Sequence, residues 1–169
     1  MKKLFVLTFF LGMGITFFGQ TYVQGKFTTL KSGPWNNPSG DIWQDDAGQT
    51  LPADSSPDFA DPGTNITINN AIHVGSYVTD SEFNANVIIN SDGGAFQVQS
   101  NNPVPWTIKG DWTVSGNFTN YDSPHIPVIN IESSNFEITS TGEMTNRGNL
   151  NHVSGNLTIS GEMIVGTPN

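Results

Sequence analysis

The amino-acid sequence predicts an all-β fold, namely a single-stranded, right-handed parallel β-helix (a β-solenoid) with three short strands in each coil of about 20 residues. Short apolar-x-apolar triplets recur along the chain, polar corners separate them, and strand starts repeat at a regular distance. Apolar residues at the helical spacing i, i+3, i+4 and i+7 do not persist beyond a turn or two. Each triplet is typical of a strand with one buried face. The clearest triplets lie at 66–68, 72–74, 96–98, 106–108, 112–114, 129–131, 136–138, 157–159 and 163–165.

The corners between triplets share one pattern: a small residue, then Asn, Asp or Glu, then the apolar start of the next strand. Gly and Asn tolerate left-handed backbone angles, so we expect the chain to turn at each of these points. The corners begin at Gly110, Gly116, Ser134, Gly142, Gly148, Gly155 and Gly161.

The strand starts repeat with a period near 20 residues. Starts at 129, 136 and 144 are followed by starts at 150, 157 and 163, at offsets of 21, 21 and 19 residues. Starts at 106, 112 and 118 precede the first set by 23, 24 and 26 residues, with the excess placed in 120–127. In a solenoid of this period, equivalent strands pair in parallel. An antiparallel β-sandwich is the alternative, but the absence of Asn-Gly hairpin centres favours the solenoid.

Residues 1–20 have the features of a signal peptide. Lys2 and Lys3 precede an apolar run at 4–18, and Gly19 and Gln20 follow it. The run is shorter than the ~20 residues that a membrane-crossing helix needs. We therefore expect cleavage near Gly19 to Thr21 and a secreted, extracellular or cell-surface protein with no membrane span after removal of the signal. The chain has no cysteine, so we expect neither disulfides nor a lipid anchor.

The charge of the expected mature chain excludes one class of partner. Four basic residues face fifteen acidic ones after residue 20, a net charge of −11. A surface of this sign repels nucleic acid, so we predict no nucleic-acid binding. The four basic residues are Lys26, Lys31, Lys109 and Arg147.

The segment 21–63 differs from the coils predicted at 64–169. It contains an acidic, Pro-rich loop at 45–61, which carries no strand signal and which we expect on the surface. Trp35 and Trp43 are the candidates for a structural cap, because a solenoid must cover its terminal apolar layer and sheet edges. The chain ends directly after a predicted strand, so we expect either a fragment whose coils are truncated at the C-terminus or a short paralogue with an uncapped end.

A motif in this segment carries a family resemblance. Residues 32–38, Ser-Gly-Pro-Trp-Asn-Asn-Pro, precede Ile42 and Trp43, a Pro-rich loop, and the triplets at 66–68 and 72–74. This order resembles the N-terminal module of secreted and cell-surface parallel β-helix proteins of Bacteroidetes, which are often cargo of type IX secretion. The resemblance covers about residues 22–80. It implies a parallel β-helix and no particular activity.

The loop carboxylates are the candidate metal ligands. Carboxylate oxygens suit Ca²⁺, but their spacing matches no EF-hand or nonapeptide calcium repeat. We therefore expect them chiefly to keep the surface soluble, with Ca²⁺ as the alternative and no other metal or cofactor. The carboxylates are Asp45, Asp46, Asp54, Asp58 and Asp61.

Residues for catalysis are few. A β-helix lyase or hydrolase needs clustered carboxylates, with an Arg or Lys base in the lyases. Arg147 is the single arginine, Lys109 lies near Asp111, and Asp122 precedes Arg147 by about one coil. We predict no catalytic residue among them. The histidines, at no metal-site spacing and expected on the surface, are His73, His125 and His152.

The aromatic residues offer two candidate sites for a sugar ring. Trp106 and Trp112 occupy matching positions on consecutive strands, but they share a face with Ile108 and Val114, so we expect them in the core. Tyr121 is the candidate for an exposed ligand contact.

These features predict a non-catalytic scaffold for adhesion, matrix or glycan interaction, with extracellular glycans or surface and matrix components as partners. One alternative is a fragment or divergent member of the β-helix polysaccharide lyases or glycoside hydrolases. The other is a carbohydrate-binding module.

The signal peptide gives the first testable prediction. When the full chain is expressed in a bacterium with a functional secretory pathway, we expect the exported product to begin near Gly19 to Thr21. Intact-mass spectrometry and N-terminal sequencing measure this start. An exported product that still begins at Met1 would contradict the prediction.

Overall fold

A computed structural model of the chain describes residues 21–74, 82–99, 105–121 and 128–166. These residues form nineteen strands and no helix, and most of the strands stack in parallel. The predicted parallel β-helix is thereby confirmed, and the antiparallel sandwich is excluded. No helix that could cross a membrane occurs in the described ranges. The predicted signal peptide at 1–20 lies outside them.

The strands are named in chain order. The first seven are β1 (Thr21–Val23), β2 (Lys26–Thr29), β3 (Gly33–Pro34), β4 (Trp43–Asp45), β5 (Ser55–Pro57), β6 (Asn65–Ile68) and β7 (Ala71–Val74). The next six are β8 (Glu82–Phe83), β9 (Asn86–Ile89), β10 (Ala95–Gln99), β11 (Trp106–Ile108), β12 (Trp112–Val114) and β13 (Asn117–Tyr121). The last six are β14 (Val128–Ile131), β15 (Asn135–Ile138), β16 (Glu143–Asn146), β17 (Asn149–His152), β18 (Asn156–Ile159) and β19 (Glu162–Val165).

Three sheets form the sides of the β-helix. Their strand orders are β3-β7-β10-β13-β16-β19, β4-β2-β6-β9-β12-β15-β18 and β8-β11-β14-β17. From β8 onward, each coil contributes one strand to each sheet. The predicted repeat gives the observed register directly, because the strand starts at 129, 136 and 144 align with those at 150, 157 and 163. The starts at 106, 112 and 118 align with 129, 136 and 144 in the same way.

The core is built from columns of inward side chains. Along the longest sheet, Ile66, Val87, Trp112 and Phe136 occupy successive register positions, and all four are buried. Their chain neighbours point outward, because successive strand residues face opposite sides. Each fully buried side chain of this size contributes about 1.5–3 kcal/mol to folding. Stacking therefore stabilises the fold in place of disulfides, which a chain without cysteine lacks.

An aromatic cluster fills the N-terminal part of the core. Trp35 and Trp43 are 2% and 0% exposed, and their ring centroids are 4.7 Å apart. Phe59 stacks on Trp35 at 3.6 Å and contacts Phe83 edge-on at 4.6 Å. The cluster therefore ties the segment before β6 to the first complete coil. This position suits a cap, although the cap role of Trp35 and Trp43 stays a prediction.

The acidic loop differs from its prediction. Residues 45–61 were expected on the surface without a strand, yet β5 is buried and pairs in parallel with β1. Leu51 and Phe59 of the same loop are also buried. The physical reason is the aromatic cluster, since stacking Phe59 on Trp35 draws the end of the loop into the core. The loop thus contributes to the core as well as to the acidic surface.

Asn37 organises the turns around this cluster. It is 0% exposed and has a positive φ of 49°, a conformation that Asn tolerates better than most residues. Its Nδ2 donates to the carbonyl oxygen of Pro52 at 3.2 Å, and its Oδ1 accepts from the Ile42 backbone N–H at 3.0 Å. Its backbone carbonyl accepts from the Asp54 N–H at 2.9 Å. One asparagine thereby connects three parts of the segment 21–63.

The reason that glycine occupies two of the corners differs from the predicted one. A Cβ atom at Gly110 or Gly142 would lie 2.0 Å from a backbone carbonyl oxygen of the preceding coil, that of Ala85 or Val114 respectively. Neither glycine has a positive φ, whereas Gly155 has one of 82°. At Gly110 and Gly142, therefore, the close approach of stacked backbones requires glycine, and left-handed geometry does not.

This close approach can be tested with a single methyl group. In Gly142→Ala, the new Cβ forces two coils apart, and we expect a destabilisation of about 1–3 kcal/mol. For a domain of this size that lowers the Tm by about 3–10 °C. Gly166→Ala is the matched control, because nothing lies within 4 Å of a Cβ at Gly166. Thermal unfolding followed by circular dichroism measures both variants, and equal Tm values would contradict the stacking argument.

Candidate ligand-binding surface

The outer face of the longest sheet carries a row of side chains with one member from each coil. Strand pairing places these residues in register, and neighbouring members are about 4.8 Å apart. We call this set the threonine row. Its members are Thr28, Thr67, Ile88, Thr113, Glu137 and Thr158.

The row leads into a pocket at its N-terminal end. The pocket has a volume of about 220 Å³, and Thr28 and Thr67 belong to its lining. It forms because β4 runs antiparallel to β2, which brings Asp45 opposite Phe27. The complete lining is Lys26, Phe27, Thr28, Asp45, Asp46, Asn65 and Thr67.

The pocket combines every hydrogen-bonding type that a polyhydroxylated ligand can use. The Lys26 ammonium donates, the Asp46 carboxylate accepts, and the Thr67 hydroxyl does both. The Asn65 amide is already engaged, since its Nδ2 donates to the Gly63 carbonyl oxygen at 2.9 Å and its Oδ1 accepts from Asn86 Nδ2 at 3.3 Å. Beyond the pocket, the side chain of Ile88 is 46% exposed and offers an apolar contact on the same row. A volume below the roughly 300 Å³ lower bound of drug-sized pockets suits a small unit, such as one sugar ring of a longer chain.

Asp45 shapes the pocket through a turn. Its Oδ1 accepts from the backbone N–H groups of Ala47 and Gln49 at 3.0 and 2.8 Å. The Asp45 N–H in turn donates to the Gln49 carbonyl at 2.9 Å. One carboxylate oxygen is therefore committed to backbone structure. Asp46, which is exposed, remains the better candidate for ligand contact.

Asparagine side chains on the coils have a different role. Asn151 Nδ2 donates to Asn130 Oδ1 at 2.9 Å, and Asn86 Nδ2 donates to Asn65 Oδ1 at 3.3 Å. These amides bond to one another between coils, so they stabilise the stack. The threonine hydroxyls further along the row are therefore the more suitable ligand contacts.

The structure tests two of the three aromatic residues considered for sugar binding. Trp106 and Trp112 are 8% and 1% exposed and belong to the core, as expected. Neither provides a surface platform. Tyr121 ends β13, where its backbone is in register with Gln99, and its side chain lies outside what the structure describes. The role of Tyr121 in ligand contact stays a prediction.

The other loop carboxylates also bond locally. Asp58 Oδ1 accepts from the Ala60 N–H at 2.9 Å, and Asp61 Oδ2 accepts from Thr64 Oγ1 at 2.9 Å. Asp54 has a positive φ of 57° at a turn. Across the described ranges, no group of three or more His, Cys, Asp or Glu residues is arranged to hold a metal ion. The geometry therefore adds no support to the Ca²⁺ alternative for the loop.

Two of the charged residues considered for catalysis, Lys109 and Asp111, bond to other coils. Lys109 Nζ donates to Glu82 Oε1 at 2.6 Å, and this hydrogen bond raises the pKa of Lys109. A lysine base needs the opposite shift, because only the neutral amine accepts a proton. Asp111 Oδ1 accepts from the Asn135 N–H at 2.9 Å and so connects two coils.

The structure describes three of the five remaining polar candidates. Arg147 is exposed, and its backbone N–H donates to the Asn120 carbonyl. His73 is exposed on β7, as expected, and His152 contacts the Gly155 carbonyl oxygen at 3.1 Å. Asp122 and His125 lie outside the described residues.

Comparison of the chain with protein-family models, curated proteins and solved structures found no match. The class of protein is therefore defined by the fold alone, as a parallel β-helix. The resemblance to the Bacteroidetes module stays a prediction.

The sequence analysis did not predict the pocket. Lys26 and Asn65 are 39 positions apart and meet only through parallel pairing of β2 with β6. Asp46 reaches them through the antiparallel strand β4, which breaks the repeat. The usable signal was Lys-Phe-Thr-Thr at 26–29, an alternating segment with the pattern of the later strands.

Proposed function

We propose that the chain is a secreted or cell-surface, non-catalytic β-helix scaffold that binds a neutral extracellular glycan. The glycan lies along the threonine row, and one terminal sugar occupies the pocket beside Lys26 and Asp46. The observation that carries this proposal is the continuity of the pocket with the row through Thr28 and Thr67.

The shape of the row supports an extended ligand. Members of the row lie about 4.8 Å apart across the stacked coils, and four of the six carry a hydroxyl group, with Ile88 and Glu137 in the other two positions. Sugar hydroxyls donate and accept hydrogen bonds, as threonine hydroxyls do. Ile88 adds an apolar contact that suits the C–H face of a sugar ring. A polymer can therefore make repeated weak contacts beyond the pocket.

The charge of the protein selects the class of glycan. The net charge of the full chain is −9, and two carboxylates line the pocket against one ammonium group. Acidic polysaccharides would meet repulsion over most of the surface. A neutral glycan avoids this cost and uses the carboxylates as acceptors, so neutral glycans are the expected class.

The proposal predicts binding that depends on two charged side chains. On an array of neutral and acidic glycans, we expect the purified chain to retain neutral ones. Lys26→Ala and Asp46→Ala each remove a hydrogen bond from a charged group, worth about 1.5–3 kcal/mol, so each should weaken binding about tenfold or more. Isothermal titration calorimetry with the best glycan measures the Kd.

The matched controls are Lys31→Ala and Asp92→Ala, which replace exposed residues outside the pocket. Both should bind as the parent chain does. Equal weakening in the control variants, or retention of acidic glycans alone, would contradict the proposal. Release of new reducing or unsaturated ends from the bound glycan would instead support the lyase or hydrolase alternative.

A further inference from the structure

Half of the six polar side chains that line the pocket are already hydrogen-bonded within the protein. Thr28 Oγ1 donates to the Thr67 carbonyl oxygen at 3.4 Å and accepts from Asn69 Nδ2 at 3.1 Å. The Asn65 amide bonds through both its nitrogen and its oxygen, and Asp45 Oδ1 bonds to the backbone of its own turn. The hydrogen-bonding capacity of these three side chains is therefore largely used inside the protein.

Two opposite charges and one hydroxyl group remain for a ligand. The antiparallel pairing of Phe27 with Asp45 places Lys26 beside Asp46, one position further along. Neither Lys26 nor Asp46 forms an ion pair in the described part of the chain, and the Thr67 hydroxyl has no hydrogen-bond partner there. The pocket thus presents an ammonium group that only donates next to a carboxylate that only accepts.

An apolar part completes the lining of the pocket. Phe27 belongs to this lining. Thr28, whose hydroxyl is committed, has a methyl group left for a ligand, and Thr67 carries a second methyl group beside its free hydroxyl. A complementary ligand group therefore has an acceptor for Lys26, a donor for Asp46 and a small apolar part.

We propose that the pocket selects an N-acetylated amino sugar and binds it through the acetamido group. The inference rests on the proposed glycan-binding function and names the sugar that this site prefers. The acetamido carbonyl oxygen accepts from the Lys26 ammonium, its N–H donates to the Asp46 carboxylate, and its methyl group packs on the apolar lining. The amide is planar, so its donor and acceptor point in fixed, opposite directions, as the two charged partners require.

The two charges also disfavour the charged substituents that sugars carry. A carboxylated sugar would be attracted to Lys26 and repelled by the two carboxylates of the lining. An ammonium group would be attracted to Asp46 and repelled by Lys26, and it has no acceptor atom. A hydroxyl group is neutral, but it brings no methyl group to the apolar lining. The acetamido group is neutral and meets all three requirements at once.

Oligosaccharides that differ only in the substituent at C2 test the selection. The β-1,4-linked hexamers of glucose, protonated glucosamine and N-acetylglucosamine carry a hydroxyl, an ammonium and an acetamido group there. In isothermal titration calorimetry, we expect the Kd of the acetylated hexamer to be lower than that of either other hexamer by about tenfold or more.

The other outcomes separate this inference from the proposed function. Equal Kd values for the glucose and acetylated hexamers would overturn the inference and leave glycan binding intact. Tightest binding of the glucosamine hexamer would show simple charge attraction and would also overturn it. If none of the hexamers binds while an array still retains other neutral glycans, the inference alone fails. An array that retains no glycan would contradict the proposed function as well.

Substitutions in the pocket and outside it locate the preference. Lys26→Met keeps an unbranched side chain without the ammonium group, and Asp46→Ala removes the carboxylate. Each should reduce the preference for the acetylated over the glucose hexamer to about threefold or less, because the acetamido group loses one partner. Thr113→Ala is the matched control, since Thr113 belongs to the threonine row outside the pocket and its loss should leave the preference unchanged. A preference that survives both pocket substitutions, or that Thr113→Ala abolishes, would overturn the inference.

Discussion

The in-register stacking of coils is the constraint on which the rest of the structure depends. Parallel pairing brings each strand to about 4.8 Å from its equivalents, so every position is repeated as a column or an outer row. The corners must then pass close to one another. Gly142 is an example, because a Cβ atom added there would lie only 2.0 Å from the Val114 carbonyl oxygen. The same spacing that excludes a methyl group at Gly142 aligns the threonine hydroxyls on the outer face.

The core columns change character along the axis of the β-helix. Rings from Trp43 to Phe136 fill the N-terminal and middle coils, whereas Met144, Leu157 and Met163 occupy equivalent layers toward the C-terminal end. Aromatic packing gives defined geometry, and unbranched or flexible side chains fill gaps with less specificity. The core is therefore most specific beside the 21–63 segment and least specific in the last described coil.

One polar pair interrupts the apolar columns. Asn120 and Asn146 are buried in register after Val74 and Val98, and Asn120 Nδ2 donates to Asn146 Oδ1 at 2.9 Å. In the described part of the chain, Asn146 Nδ2 has no hydrogen-bond partner, which costs about 1–3 kcal/mol. A shift of register by one residue would turn the pair to the outer face. The pair thus contributes to the choice of register at some cost in stability.

The sequence was sufficient to predict the strand register of the coils, but it was insufficient to predict the contacts of the segment 21–63 before them. Positions 129, 136 and 144 could be aligned with 150, 157 and 163 because each coil repeats the same corner and the same buried face. Phe59, Asn37 and β4 have no repeated counterpart, so their contacts depend on three-dimensional packing that periodicity does not encode. The excess residues of one coil were placed at 120–127, whereas Asn120 lies in β13, because the offset between coils gives the length of an insertion and not the residue at which it begins. The pocket was missed for the same reason as β4, since it forms where the repeat is broken.

Register-specific cross-linking tests the stacking of coils most directly. Thr113 pairs with Glu137, and Glu137 pairs with Thr158, all on the outer face. Adjacent positions lie within the Cα separation of about 4.4–6.8 Å that a disulfide spans, whereas positions two coils apart do not. In this cysteine-free chain, Thr113→Cys with Glu137→Cys should form a disulfide under mild oxidation, and Thr113→Cys with Thr158→Cys should remain reduced. Failure of the first pair to cross-link, or intramolecular cross-linking of the second, would contradict the parallel β-helix described above.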